Sequence, residues 1–513
     1  MSLSVGIWFS KPKKGVVMSR ARTFAIGFPM SKVLLRLVTL VGLLSIDAQG
    51  IFARQADPLK QQVIARVDSI EAVIAEMAEK LWEYSEISLY ETRSAALLIS
   101  KLREAGFDVE TNVAGMPTAF VATYGKGSPV VGILAEYDAL PGVGNEPVPE
   151  RKGRADGVTS GQGCGHNLFG AASVGGAIAL KQLMEKENLK GTLKLFGTPA
   201  EETIIGKVYM AKAGIFNGLD AVIEWHPGDD NEVRNQTGRA MNSFEVEFFG
   251  QAAHGAADPW NGRSALDAVE LMNYGANMMR EHIKPTARIH YVIPNAGDAP
   301  NVVPEYAKVW YYVRDINRDE VDKLYARILK IAEGAALATE TTHKVHLITG
   351  VHEYLLNRPI QEALQENLDL VGAPAFTEQE QEFAHSLQRF LNKPEKGFND
   401  KIKPLPAEPG EVKGGSTDVA EVSWIVPTGG FTVATAAEDI PWHSWAATAC
   451  HGTRAGRKGA IVAAKVIAAT GVDVLTRPAL VQEAKAFFLK ATDGKPYESP
   501  IPANQKPPLP SAD

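Results

Sequence analysis

The chain has 513 residues, of which 45% are apolar, 22% charged and 8% aromatic, with 46 Gly, 30 Pro and only 2 Cys. That profile fits a globular protein of about two to four domains and excludes collagen, a disordered chain, a coiled coil and a disulfide scaffold, each of which needs a strong bias missing here. The formal charge of −7 hides an asymmetry: residues 1–50 carry seven basic side chains and one acid, and subtracting their +6 leaves −13 for the rest, a surface that would repel a phosphate backbone and speaks against nucleic-acid binding.

Lys32 and Arg36 precede an apolar run at 37–46, and small or polar residues follow, including Ala48 and Gly50. This is the pattern of a targeting segment over residues 1–52, and the expectation is a periplasmic or secreted protein, with a frayed N-terminal helix in a cytoplasmic protein as the alternative. No run of 18 or more uncharged apolar residues occurs, so no stable membrane span is expected in the mature form.

Between residues 58 and 106, Val63, Val67, Ile70, Val73, Ile74 and Met77 recur at helical spacing, predicting two opening helices. Runs at 119–124 and 130–135 read as strands, the second apolar throughout as a buried strand should be. A glycine-rich turn then leads to a helix over 168–184, a strand at 192–196, a short helix at 207–213 and a strand at 221–224. Such alternation predicts an α/β sheet with its site at the strand ends. From about 242 to 350 the pattern becomes strand 243–249, helix 264–283, strands 288–293 and 307–314, helix 318–338 and strand 345–349. That β-α-β-β-α-β order is the ferredoxin-like split unit. It places an inserted domain at 241–352 between catalytic segments 57–240 and 353–492. The second segment is expected to hold helices at 360–370, 378–391 and 458–470 and a strand at 431–435. The proline-rich tail, 493–513, is too polar to build core.

Four places carry ligand-type side chains. Gly161-Gln162-Gly163-Cys164-Gly165-His166-Asn167 puts a thiol and an imidazole two apart in a glycine-rich turn, good donors for a borderline-soft divalent ion. By itself the pair is equally a small buried Cys beside a packed His. Glu201-Glu202 follows the strand at 192–196, where neighbouring side chains point different ways, so that one can bind metal while the other acts as a base. His226 follows the next strand, bringing an imidazole to the same rim. His443, in Asp439-Ile440-Pro441-Trp442-His443-Ser444, is a candidate last ligand, and His451, in a helical-looking segment, competes with it. The histidines at 282, 290, 343, 346, 352 and 385 have no companion motif and read as surface or packing residues. His254 differs, standing in a loop of small residues that lets a substrate or a backbone come close. A disulfide between Cys164 and Cys450 is conceivable in an exported protein, but metal binding is the preferred use of Cys164.

In this order the motifs resemble the M20 metallopeptidase and amidohydrolase family over about residues 60–490. Cys-Gly-His in place of the usual aspartate ligand looks like the branch that hydrolyses N-acyl and N-aroyl amino acids. Glu136-Tyr137-Asp138-Ala139-Leu140-Pro141, Gly165-His166-Asn167-Leu168 and Pro441-Trp442-His443-Ser444-Trp445 carry the likeness most specifically. The resemblance implies an α/β di-metal catalytic domain with a mixed central sheet flanked by helices, and a ferredoxin-like insert that serves as lid and dimerisation domain. It implies Cys164, His166, Glu202, His226 and His443 as ligands of two divalent metal ions, Zn2+ or Mn2+, with Glu201 as general base. It also implies that His254 reaches the active site of a second copy in a homodimer, that Asn301 contacts substrate, and that Gly415, Ser416 and Thr417 hold the amino-acid carboxylate. More distant members open with H-x-D, in which the His is a ligand; here Tyr137 is read in that place and only the aspartate remains, so that Asp138 is expected to steady a ligand. The implied substrates are small-molecule N-acyl amino acids, aminobenzoyl-glutamate-like compounds or dipeptides. The alternatives are an aminopeptidase or carboxypeptidase acting on longer peptides, or a non-catalytic partner subunit of a hetero-oligomer.

Overall fold

The computed structural model describes residues 57–412 and 414–510. The targeting segment expected at 1–52 lies outside the described residues.

Asp57 caps the first helix, accepting from the Leu59 N–H at 2.9 Å, with Pro58 at the first helical position. Three helices open the described residues instead of the expected two: α1 (Pro58–Ser69), α2 (Glu71–Tyr84) and α3 (Thr92–Glu104). Ile70, at φ −114° and ψ 14°, breaks α1 from α2, and Ser85 and Leu89, with positive φ values of 42° and 67°, turn the backbone between α2 and α3. Strands β1 (Asp108–Thr111), β2 (Phe120–Lys126) and β3 (Val130–Ala135) follow, then α4 (His166–Glu187), β4 (Gly191–Gly197), α5 (Gly206–Lys212), β5 (Ala221–Gly228) and the short β6 (Glu232–Val233).

The next elements, β7 (Ala240–Phe249), α6 (Ala265–Met279), β8 (Arg288–Asn295), β9 (Tyr306–Asp315), α7 (Arg318–Ala338) and β10 (Thr342–Val351), keep the predicted βαββαβ order. They form their own antiparallel sheet, ordered β10-β7-β9-β8, over a separate core that includes Phe244, Val246, Tyr311 and Ile328. Alternate residues of β9 are buried, the period expected of a sheet with one covered face.

The chain then returns through α8 (Arg358–Val371), α9 (Glu378–Phe390), α10 (Val419–Ser423), β11 (Thr428–Ala434), α11 (Trp445–His451), α12 (Arg454–Thr476) and α13 (Pro478–Ala491). β11 slots into the first sheet, giving the order β1-β2-β4-β3-β5-β11-β6. The four strands β4, β3, β5 and β11 run parallel, and β1, β2 and β6 are antiparallel additions, so the sheet is mixed. α12 is long and apolar enough to span a bilayer by length and composition, but 83% of its most apolar 18-residue window is buried against the sheet and α4. Gly176 of α4 makes that contact possible, because a Cβ there would come within 2.9 Å of the Ala464 carbonyl oxygen.

The tail departs from expectation. Ile501 is 3% exposed and joins the main core, and the Gln505 side-chain amide donates to the Leu347 and Ile348 carbonyls at 2.7 and 2.9 Å. Proline removes backbone donors without preventing apolar side chains from packing, which is why composition misjudged this segment. Both cysteines are buried free thiols, so the conceivable disulfide is not formed.

Candidate metal centre and active site

Glu136 and Asp138 follow β3, Glu201 and Glu202 follow β4, His226 lies within β5 opposite Thr432, and His443 comes after β11. The carboxyl ends of parallel strands thus deliver all of them to one edge. β3 lies between β4 and β5, so the strand order reverses there, which opens the crevice where α/β sheets hold ligands. Cys164 and His166 reach this edge from the turn that begins α4. Gly165 holds φ +81°, and a Cβ on it would stand 2.7 Å from Pro227 Cβ, so only glycine lets the turn pass between the two side chains and β5.

The ligand atoms of Cys164, His166 and His226 lie within 4.8 Å of one another, and so do those of Cys164, Glu202 and His443. Cys164 is common to both groups. Its Sγ is 3.5 Å from His226 Nε2, and His443 Nε2 is 3.5 Å from Glu202 Oε2. His226 Nδ1 donates to the Pro227 carbonyl at 2.8 Å, which leaves the lone pair on Nε2 facing the thiol. Asp138 Oδ1 lies 2.9 Å from His166 Nδ1, while Oδ2 accepts from the Ser88 hydroxyl at 2.8 Å and the Glu202 N–H at 3.0 Å. One carboxylate therefore orients an imidazole and the backbone of the next candidate ligand. His451 sits behind this group, its Nδ1 bonded to the Gln162 carbonyl at 2.7 Å, and burial pushes it down to about 4.

The donor set fits divalent cations. His166 Nε2 and Glu202 Oε1 are buried without a hydrogen-bond partner, an arrangement that costs free energy unless something else binds them. Burial pushes Glu202 up to about 8 and Glu201 well above the carboxylate range, Glu201 further by Glu136 and Asp418, so the carboxylates are crowded in a way that bound cations relieve. Burial, then the nearby His166, holds His226 and His443 low, which keeps them in the neutral form that binds metal. Burial alone would lower His166, but Cys164, Glu136 and Asp138 outweigh it and hold that imidazole high. Ala200, Ile204 and His443 all carry positive φ (58°, 58° and 53°), so strained backbone brackets the candidate ligands on both sides of the crevice.

These side chains open on a cavity of about 360 Å³. Cys164, Glu201, Glu202, His226 and His443 line it, and so do Gly415, Ser416 and Thr417. His254 and Asn301 do not. They lie together in the insert, where Gly255 N–H donates to the Asn301 carbonyl at 2.8 Å, and His254 is exposed. Asp138 lies behind the ligands rather than on the cavity wall.

Several residues on the wall or beneath it were given no role by the sequence. Arg314, delivered by β9 of the insert, lines the cavity with Nε unpaired, and it makes no ion pair among the described residues. Arg234 lines it too but is held at 3.0 Å by Glu224. Glu136, rather than Tyr137, stands two residues before Asp138, where the H-x-D pattern has its histidine, and that offset was the available signal. Lys207 and Asp418 are single charges distant in sequence, and only the fold brings them beneath the site.

Residues 132–436 match the model of the peptidase family M20/M25/M40. The chain belongs to this family. It is 36% identical over 468 residues to a p-aminobenzoyl-glutamate hydrolase subunit of Escherichia coli (strain K12), covering 86% of this chain and 97% of that protein. It is 29% identical over 453 residues to the Xaa-Arg dipeptidase of Mus musculus, covering 85% and 93%. Among solved structures, an aminobenzoyl-glutamate utilization protein from Klebsiella pneumoniae superposes with a TM-score of 0.55 at 16% identity, over 80% of this chain and 98% of that one. A dinuclear metal binding peptidase of the M20 family from Bacillus subtilis gives 0.51 at 19% identity, over 78% and 99%. This M20 chain is thus a metal-dependent amidohydrolase or peptidase, and the mixed sheet flanked by helices is the fold of its family.

Proposed function

We propose that this M20 hydrolase cleaves the amide bond of N-acyl or N-aroyl amino acids, aminobenzoyl-glutamate-like compounds or dipeptides, using two divalent ions, zinc or manganese. The observation that carries the reading is the convergence of Cys164, Glu202, His226 and His443 with Glu201 on one cavity, with His166 buried beside Cys164 and His226, and with Arg314, whose Nε has no hydrogen-bond partner, on the cavity wall. Ions held there would supply the Lewis acidity that polarises a scissile carbonyl and acidifies a water. Glu201, buried at 8% exposure on the cavity wall, is placed to take the water's proton and return it to the leaving nitrogen. Arg314 and the 415–417 loop suit the free carboxylate of the amino-acid half. The cavity is small for a long peptide, which weighs against an exopeptidase for extended chains. Cys164 and the imidazoles favour zinc by softness.

His254 fits the role of oxyanion donor in a second copy. Its Nδ1 accepts from the Ala256 and Ala257 N–H groups at 3.2 and 3.1 Å, which places the ring proton on Nε2, facing outward. Leu271, Tyr274 and Met278 project from one face of α6 and are 41%, 61% and 57% exposed, and β8 is an open sheet edge. Covering them by pairing through the insert is the proposed assembly. The word subunit in one relative's name favours a second arrangement, with an unlike chain.

A hydrolysis screen over N-acyl amino acids, p-aminobenzoyl-glutamate and dipeptides, with and without chelator, tests the function. Chelator-sensitive release of a free amino acid, restored by added zinc or manganese, is expected. Turnover that survives complete metal removal refutes the reading. If the purified chain is active as a dimer by itself, no unlike subunit is needed.

A further inference from the structure

Lys207 has no part in the reaction outlined above, yet it is completely buried beneath the site. It stands in the first turn of α5, with Nζ 2.7 Å from Glu136 Oε1 and 2.6 Å from Asp418 Oδ1. Its own backbone N–H donates to Asp418 Oδ2 at 2.8 Å, so Asp418 fixes both ends of the residue. Glu136 turns its other oxygen toward the metal-ligand candidates: Oε2 is 3.1 Å from His166 Nε2, and Glu201 Oε2 is 4.0 Å from the same nitrogen. The donor atoms of Glu136, His166 and Glu201 consequently make a third group within 4.8 Å, beside the two that contain Cys164.

A buried carboxylate so placed has two destinations. It can stay on the ammonium, or it can move onto His166 and any cation bound there. An unpaired buried charge is costly, so whichever partner is available captures it. Glu136 spans both, and its contact with Lys207, at 2.7 Å, is shorter than that with His166, at 3.1 Å.

We propose that Lys207 is a positioning residue that anchors the Glu136 carboxylate on its own ammonium and thereby limits its hold on His166 Nε2, so that a cation can take that nitrogen. The proposal rests on the metal-dependent reading above. It explains why a lysine is buried where no substrate reaches, and why Glu136 can occupy the histidine place of H-x-D without belonging to either group that contains Cys164.

The test uses the full chain loaded with Co2+, whose visible bands lose intensity as coordination number rises. Lys207→Met is expected to weaken those bands as Glu136 joins the ligands, with kcat falling about 10–100-fold, the usual loss when a group supporting a ligand is removed. Adding Glu136→Gln to Lys207→Met removes the freed carboxylate and is expected to return the spectrum to that of the unsubstituted protein. Glu136→Gln alone should leave the spectrum unchanged, and this variant keeps the test open even where Lys207→Met does not fold. An unchanged spectrum in folded Lys207→Met, no recovery in the double variant, or an altered spectrum in Glu136→Gln overturns the proposal. If the unsubstituted protein takes up no Co2+, the metal-dependent reading fails and this one with it. Failure of the Lys207 proposal by itself requires a normal Co2+ spectrum in the unsubstituted protein, so the two outcomes are distinct.

Discussion

Glu201 and Glu202 are neighbours in sequence but face different groups. Glu202 Oε2 lies 3.5 Å from His443 Nε2, whereas Glu201 Oε2 lies 4.0 Å from His166 Nε2 and close to the charges of Glu136 and Asp418, the setting of the proposed base. Replacing Glu201 by Gln should therefore lower kcat by about 10²–10⁴-fold while the metal content stays at its original level, as checked by steady-state kinetics alongside plasma mass spectrometry. Asp138→Asn keeps the size but weakens the hold on His166 Nδ1, and a loss of about 10–100-fold in metal affinity is expected in a competition titration with a chromophoric chelator. The candidate donors stood out in the sequence because most of them sit where a strand ends or a helix begins, positions that hydrophobic patterning marks. Lys207, Asp418 and Arg314 did not, and Glu136 was read within a motif but given no role, since a single charge has no period and their meeting depends on strand order that no local pattern encodes.

At the level of elements, the insert and the tail are tied to the catalytic sheet by a small polar knot. His352, just past β10, places Nδ1 2.9 Å from Glu421 Oε1 of α10, and Tyr497 of the tail donates its hydroxyl to Glu421 Oε2 at 2.5 Å. Burial opposes a charge on His352, but Glu421 outweighs it and raises the imidazole above its usual range, with Arg318 and Glu353 also nearby. A raised folded-state value means this stabilisation is fully present below the ordinary histidine range and is lost as pH rises through the raised value. The melting-temperature gap between the unsubstituted protein and His352→Gln should thus be wider near about pH 6 than near about pH 9. Ile501 should matter as well. Truncating it to Ala ought to cost about 2–5 kcal/mol in urea unfolding, the usual range for a buried Ile, whereas a tail merely lying on the surface would lose almost nothing. Strand β3 was readable from its unbroken apolar run and helix α7 from its period. The turn between α2 and α3 was not, because left-handed Ser85 and Leu89 lack the glycine that usually announces one.

For the whole molecule, the proposed sharing of His254 makes a prediction that a single chain cannot satisfy. Glu201→Gln and His254→Ala each disable a different half of the site, so mixing the two inactive proteins under conditions that exchange protomers should restore part of the activity. No recovery, with exchange shown by mass spectrometry, would count against the donation of His254 across copies. The two-part catalytic domain also has a kinetic side. β5 ends at Gly228, and its sheet partner β11 begins only at Thr428. A ribosome adding ~5–20 residues per second needs roughly 10–40 s to traverse that gap. Throughout the interval one flank of β5 has no hydrogen-bonding neighbour, and His443 has yet to be synthesised. The insert, whose strands pair only with one another, can fold meanwhile, so the nascent polypeptide completes its accessory module first and closes its reactive half last.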